Sequence, residues 1–226
     1  MNQPILTPQK KDWNRFWGSY NSGSSQKISW SKKRILQLLR PYAEAGKKAL
    51  DAGCGSGFFA QYFADQGMKT TAVDYSENAL EKTKQTTGNR VRLCQCDLLN
   101  ELLENKLQEK FGLVFTDGLF EHFSPAAQDK IMNNLIAVLD EQGLVVTVVP
   151  NRWSPWEIIR PFYMPGINER PFVLKELIDL NERNNLCVIK YGGINTLPCS
   201  FSPEGKIAEC FGMLLYTVAH KNNCSA

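Results

Sequence analysis

The fold is decided by Ala49-Leu50-Asp51-Ala52-Gly53-Cys54-Gly55-Ser56-Gly57, a stretch in the first third of this 226-residue chain. A predicted strand, Lys47 to Leu50, runs into a turn with three glycines and then into a predicted helix that ends near Gln66. Glycines let the backbone of such a turn approach a ligand closely, and the helix that follows offers free N–H groups. The stretch therefore predicts a nucleotide-like ligand at the carboxyl end of a buried strand.

Strand and helix patterns alternate through the rest of the chain. The other predicted strands are Lys69 to Val73, Val91 to Gln95, Phe111 to Thr116, Gly143 to Val149, Leu186 to Tyr191 and Gly212 to Ala219. The other predicted helices are Ser31 to Arg40, Ser76 to Gln85, a leucine-rich helix through Leu107, Pro125 to Leu139 and Val173 to Arg183. This order predicts an α/β fold, a Rossmann-like, doubly wound, seven-stranded sheet that is mostly parallel with an antiparallel last strand. We expect residues 1–226 to form a single domain.

The composition of the chain limits the classes of function and location that we expect. A formal net charge of +3 gives no reason to expect a nucleic-acid partner, and the run Lys32 to Arg34 is predicted to be a solvated helix face. No apolar run approaches the roughly 18 residues that a membrane span needs. The seven cysteines show no paired spacing, and the N-terminus lacks the apolar core of a signal peptide. We therefore expect a reduced, cytoplasmic protein.

Carboxylates follow each of the first four predicted strands. Asp74 ends the second strand, about 20 residues after the glycine turn, where a carboxylate accepts hydrogen bonds from ribose hydroxyls. Asp97 follows the third strand, where it is placed to accept from an adenine amino group. Asp51, Asp117 and Glu121 are also predicted near these strand ends.

These motifs resemble the class I S-adenosylmethionine-dependent methyltransferases, in particular the type 11 and type 23 group. The resemblance covers roughly residues 45–151 and is carried by Ala49 to Leu80, Cys96-Asp97-Leu98, Phe120-Glu121-His122 and Val149-Pro150-Asn151. It departs at Gly112, where the family often has an acidic residue. The resemblance implies S-adenosyl-L-methionine as the cofactor. The implied cofactor-binding residues are Asp51, Gly53, Cys54, Gly55 and Gly57 around the methionine part, Asp74 at the ribose, and Tyr75, Asp97 and Leu98 at the adenine. Asp117 follows the fourth strand where the family is variable, and we expect its carboxylate near the cationic sulfonium because of its charge.

His122 is the candidate catalytic residue. It lies just past the fourth strand, and an imidazole with an ordinary pKa of about 6.5 is suited to remove a proton near neutral pH. The alternative is that His122 orders the loop or packs on the cofactor. Cys94 and Cys96 share one face of a strand and lack a second pair of metal ligands nearby, so we expect no metal site.

Two segments are candidate covers for the ligand. The first lies within residues 1–30, where aromatic residues recur at helical spacing: Trp13, Phe16, Trp17 and Tyr20. These aromatic residues either attach a helix to the core or cover the cofactor. Residues 150–171 are rich in proline and aromatic residues and are predicted to form a lid on the acceptor side. This second segment contains Arg152, Trp153, Trp156, Arg160, Phe162, Tyr163 and Arg170. Its three arginines are candidates to bind a carboxylate or phosphate of the acceptor; the alternative is that they are solvated.

The function predicted is methyl transfer to a small-molecule acceptor that is aromatic or anionic, with no nucleic-acid partner and no membrane span. One alternative is a nicotinamide-dependent dehydrogenase, whose fingerprint G-x-G-x-x-G differs from the G-x-G-x-G of Gly53, Gly55 and Gly57. The other is a non-catalytic protein that binds S-adenosylmethionine or acts as a scaffold, because a cofactor fold does not prove turnover. Neither the methylated atom nor the oligomeric state follows from the sequence.

Overall fold

The computed structural model describes residues 10–19, 28–158, 169–203 and 205–222. The strands are β1 (Lys48–Ala52), β2 (Lys69–Asp74), β3 (Arg92–Gln95), β4 (Phe111–Asp117), β5 (Leu139–Pro150), β6 (Leu186–Ile194) and β7 (Leu214–Lys221). The helices are α1 (Lys10–Ser19), α2 (Trp30–Leu39), α3 (Phe58–Asp65), α4 (Glu77–Thr87), α5 (Leu103–Leu107), α6 (Pro125–Ala137), α7 (Leu174–Glu182) and α8 (Lys206–Phe211). A single 3₁₀ turn, Phe120–His122, follows β4.

The strands form one seven-stranded sheet in the order β3-β2-β1-β4-β5-β7-β6. Strands β1 to β5 pair in parallel, whereas β7 is antiparallel to both β5 and β6. The predicted fold class is thereby confirmed. The strand order reverses between β1 and β4, and this switch point is where open α/β sheets bind their ligands.

Both faces of the sheet are covered, as a parallel sheet requires. On one face Leu50 and Val114 belong to a core that also contains residues of α5, α6 and α7. On the other face Ala49 and Phe115 pack with apolar residues of α2 and α3. Successive residues of one strand thus enter opposite cores, because side chains alternate along a strand. This double burial fixes the register and so fixes where each strand ends.

The structure differs from the sequence prediction mainly at the ends of elements. Strand β5 begins at Leu139 rather than at Gly143, because its pairing with β4 shifts register between Phe111 and Leu113. Helix α8 was not predicted, since six residues carry too little periodicity to be recognised. Ser76 is the N-cap of α4, with its Oγ accepting from the Ala79 N–H at 3.3 Å.

Among the residues that the structure describes, no helix has the length and apolar character to cross a bilayer.

Candidate active site

A cavity of about 930 Å³ lies at the carboxyl ends of β1, β2 and β4, beside α1. All of the predicted site residues except Gly57 line it, namely Asp51, Gly53, Cys54, Gly55, Asp74, Tyr75, Asp97, Leu98, Asp117 and His122. Residues that are far apart in the chain meet here because the strands that carry them are parallel neighbours.

Gly57 has a packing role instead. Its backbone φ is +76°, and a Cβ atom there would lie 2.7 Å from Thr83 Cα, so only glycine lets α3 approach α4 this closely. Thr83 also holds the turn, because its hydroxyl bonds Gly55 O at 3.2 Å and lies 3.3 Å from Cys54 Sγ. No sequence pattern points to this role of Thr83, because threonine is common inside helices.

Asp74 links the glycine turn to the start of α4. One carboxylate oxygen accepts from the Gly55 N–H at 3.1 Å and the other accepts from the Ser76 N–H at 2.9 Å. The side chain is 8% exposed and borders the cavity. The Tyr75 N–H also acts on this carboxylate, and because a carboxylate has about four lone-pair sites, acceptor capacity remains for a ligand.

Asp51 and Asp117 make the neighbouring wall acidic. Burial, together with the nearby Asp117 and Asp74 carboxylates, raises the pKa of Asp51 to about 8, although the Ala60 N–H donates to Asp51 Oδ2 at 2.9 Å. Burial also raises the pKa of Asp117 to about 6, against the lowering effect of Lys32. Carboxyls whose ionised forms are destabilised in this way would ionise more readily beside a bound cation.

Asp97 lies at the other end of the cavity. Its two oxygens accept from the Leu99 N–H at 3.0 Å and from the Asn100 side chain at 2.8 Å, so it orders the turn after β3. Leu98 is buried in the cavity wall. Burial raises the pKa of Tyr75, which keeps this phenol neutral at physiological pH.

His122 is buried, with 3% of its surface exposed, and borders the cavity. The Trp13 ring packs edge-on against it, with the ring centroids 4.8 Å apart. This contact fits the packing interpretation, while the place beside the cavity fits the catalytic one. Ligand atoms of Glu121, His122 and Glu169 also lie within 4.8 Å of one another. Acidic groups often cluster without an ion, so metal independence stays a prediction.

Helix α1 lies across the glycine turn. A Cβ atom at Gly55 would lie 2.5 Å from the Trp17 ring, so the indole rests directly on the backbone there. Polar contacts fix the same helix to α4: the Ser76 hydroxyl lies 2.6 Å from Asn14 Oδ1, and the Asn78 side chain donates to Asn14 O at 2.7 Å. Trp13 and Trp17 both line the cavity. Tyr20 lies outside the described residues.

Lys32 is a cavity residue that sequence reasoning missed. The prediction of a solvated face for Lys32 to Arg34 is wrong at two of its three positions. Lys32 is half-buried and lines the cavity, with Nζ 4.3 Å from the centroid of the Phe58 ring. Arg34 is buried and donates to Asn195 Oδ1 at 3.1 Å. Three consecutive charged residues predict solvent exposure, whereas in the structure α2 packs closely on the sheet.

The predicted lid is described only in part. Arg152 and Arg170 both pair with Glu176, at 2.8 and 2.5 Å, and neither lines the cavity. Trp153 is 66% exposed and Trp156 is half-buried. The remaining residues singled out in this segment, Arg160, Phe162 and Tyr163, lie outside the described residues.

Comparison with known proteins finds similarity to methyltransferases. Residues 49–143 match the family model described as a methyltransferase domain. The chain is 43% identical over 92 residues, 37% of its own length, to ribosomal protein L11 methyltransferase of Campylobacter concisus. It is 28% identical over 99 residues, 42% of its length, to ubiquinone biosynthesis O-methyltransferase of Pseudomonas fluorescens. It spans 30% of the first relative and 39% of the second.

A solved structure extends the likeness to the fold of the whole chain. The 1,6-didemethyltoxoflavin-N1-methyltransferase of Burkholderia thailandensis, with its acceptor and S-adenosylhomocysteine bound, superposes with a TM-score of 0.68 at 20% identity. The superposition covers 99% of this chain and 94% of that one.

Proposed function

We propose that this chain transfers a methyl group from S-adenosyl-L-methionine to a small-molecule acceptor, because residues 49–143 match the family model of a methyltransferase domain. The observation that carries the proposal is the cavity at the strand switch point, which the glycine turn and the Asp51 and Asp74 carboxylates border. The bound cofactor supplies an electrophilic methyl group on a sulfonium.

The residues present fit this cofactor. Asp74 retains acceptor positions for ribose hydroxyls after it has bound the Gly55 and Ser76 N–H groups. Asp51 and Asp117 supply negative charge for the sulfonium half, and Tyr75, Asp97 and Leu98 form the end that would hold adenine. We propose that Gly53, Cys54 and Gly55 bind through their backbone, while Gly57 acts only by allowing α3 and α4 to pack.

The chain's task is to align the acceptor, exclude water and remove a proton where the acceptor needs it. Trp13 and Trp17 of α1 support the exclusion of water, because both indoles border the cavity. We propose that α1 covers the cofactor and that residues 150–171 approach from the acceptor side. His122 is the base that we propose for proton removal.

The size of the cavity and the position of α1 support a small-molecule acceptor. Its volume of about 930 Å³ lies within the usual range of 300–1,000 Å³ for ligand pockets. Helix α1 narrows access, which disfavours a protein acceptor such as the one named for the Campylobacter concisus relative. The six cysteines described carry free thiols, which supports the proposal of a reducing, cytoplasmic location.

Calorimetry with S-adenosylmethionine, S-adenosylhomocysteine and NAD tests the cofactor directly. Binding of both sulfur compounds without NAD is expected, whereas tight NAD binding alone would indicate a dehydrogenase. Labelled cofactor incubated with a metabolite extract then tests turnover, with mass spectrometry to identify the compound that gains a methyl group. Cofactor binding without any labelled product would favour the non-catalytic alternative.

A further inference from the structure

The two lysines that line the cavity differ in their hydrogen bonds and ion pairs. Lys106, at the end proposed for adenine, pairs with Glu101 at 2.6 Å and donates to Gln95 O at 2.8 Å. Lys32 is the other lysine of the lining. Within the described residues its ammonium has no hydrogen bond or ion pair within 4.0 Å, and the only charge that acts on its pKa is Asp117. Among the described residues, Lys32 is therefore a cation in the cavity wall that contacts an aromatic ring but has no hydrogen bond or ion pair.

The surrounding fold holds Lys32 in this place. Its backbone N–H donates to Ser29 Oγ in the N-cap of α2, and Ile35 and Leu39 of the same helix are buried in the core. The ammonium lies over the Phe58 ring at the start of α3. Burial lowers the pKa of Lys32, which shows that the charged form is incompletely solvated there. A half-buried cation without a partner is costly unless a ligand supplies the opposite charge.

We propose that Lys32 binds an acidic oxygen of the acceptor, a carboxylate or a phenolate, on an aromatic acceptor that lies against Phe58. The inference rests on the proposed function and names its substrate class. A cationic acceptor would bring a third positive charge beside Lys32 and the sulfonium, and a neutral one would leave Lys32 unpaired. An anionic acceptor compensates Lys32, while the sulfonium compensates Asp51 and Asp117.

Apolar groups around Lys32 suit the rest of such an acceptor. Phe58, Leu119 and Phe123 line the same cavity, and Trp13 borders it from α1. Flat apolar walls with one fixed charge are the usual means of orienting a small aromatic ligand. Arg152 and Arg170, the sequence-based candidates for this task, are already paired with Glu176.

The test measures binding of three probes to the protein saturated with S-adenosylhomocysteine, by ligand-observed NMR. Benzoate carries a carboxylate, 4-nitrophenolate carries a phenolate, and benzamide is the neutral control. At least one anion should bind the wild type about tenfold more tightly than benzamide, the contribution of one charge-assisted hydrogen bond. K32M should abolish this preference and K32R should retain part of it. K33M changes the exposed neighbouring lysine and should behave as wild type.

Equal binding of the anions and benzamide to the wild type overturns the inference, as does an anion preference that survives in K32M. A K32M variant that loses turnover but keeps the anion preference would assign Lys32 to proton transfer instead. Melting curves show whether each variant is folded, and K32R keeps the test valid if K32M is not. Failure of S-adenosylhomocysteine to bind the wild type would refute the proposed function, and the anion preference is then measured on the free protein.

Discussion

At the scale of single residues, Asp74 has two separable tasks. It holds the glycine turn by accepting from the Gly55 and Ser76 N–H groups, and in the proposed complex it also accepts from ribose hydroxyls. A mutation there must therefore affect the stability of the turn as well as cofactor affinity. A donor N–H that is left buried and unpaired costs about 1–3 kcal/mol.

Asp74→Ala should weaken binding of S-adenosylhomocysteine by roughly 10- to 150-fold, equivalent to about 1.5–3 kcal/mol, because two charge-assisted hydrogen bonds are lost. Asp74→Asn keeps an oxygen for one backbone N–H and should retain more of the melting temperature than the alanine variant. Calorimetry and thermal unfolding measure the two effects. Asp65→Ala, which removes an exposed pair with Arg90, is the control and should leave affinity unchanged. Unaltered affinity in a folded Asp74→Ala protein would place the ribose elsewhere.

The same scale shows why the site could be predicted only in part. Asp51, Asp74 and Asp97 follow predicted strands, so the parallel sheet alone brings them to one edge. Lys32 reaches that edge from α2, whose position depends on packing that has no local sequence pattern. Gly57 resembles its neighbours in the motif, yet the contact that requires glycine comes from Thr83 on another helix.

At the scale of elements, α1 and the glycine turn form a tight contact. Gly55 has φ +51°, and the Trp17 ring fills the space where a side chain would begin. Substitution of Gly55 therefore meets two separate costs: the left-handed backbone conformation and the collision with α1. Gly88 offers a matched control, because its φ is +59° and a Cβ atom there meets nothing within 4 Å.

Gly88→Ala should cost about 1–2 kcal/mol, the usual penalty of a left-handed conformation. Gly55→Ala should cost more, because the added methyl group also displaces Trp17. The excess should largely disappear when Gly55→Ala is measured in a Trp17→Ala background, so the double-mutant cycle gives a clear interaction energy. Denaturant unfolding of the four proteins of the cycle measures it. Additive effects would mean that α1 does not rest on the turn in solution.

The elements also show where sequence patterns are strong. The alternation of strands and helices predicted every strand, since most of the strands keep an apolar face that is buried. The start of β5 was misplaced by four residues because the register shift near Phe111 arises from pairing between strands. Helix α8 rests on Gly193 and is capped by Asn151, two contacts that are distant in the chain. Tertiary contacts of this kind lie outside any local pattern.

At the scale of the whole molecule, the acidic cavity opposes folding when it is empty. Burial raises the pKa of Asp51 from 3.8 to about 8, and that of Asp117 to about 6. The folded state therefore binds more protons than the unfolded state above pH 4, so the free energy of unfolding falls as pH rises. The fall should continue through about pH 8, the folded-state pKa of Asp51, and end above it, where Asp51 is ionised in both states.

The melting temperature of the ligand-free protein should accordingly decrease between pH 5 and pH 8, a window set by the raised pKa values of Asp51 and Asp117. Asp51→Asn should flatten this decrease, because asparagine still accepts from the Ala60 N–H but never ionises. Saturating S-adenosylmethionine should flatten it too, since its sulfonium favours the ionised carboxylates, and S-adenosylhomocysteine, which lacks that charge, should do so less. Differential scanning calorimetry across the pH series provides the measurement. If Asp51→Asn and the wild type lose stability in parallel, Asp51 is already ionised in the empty cavity. Binding of the sulfonium would then release no proton from Asp51.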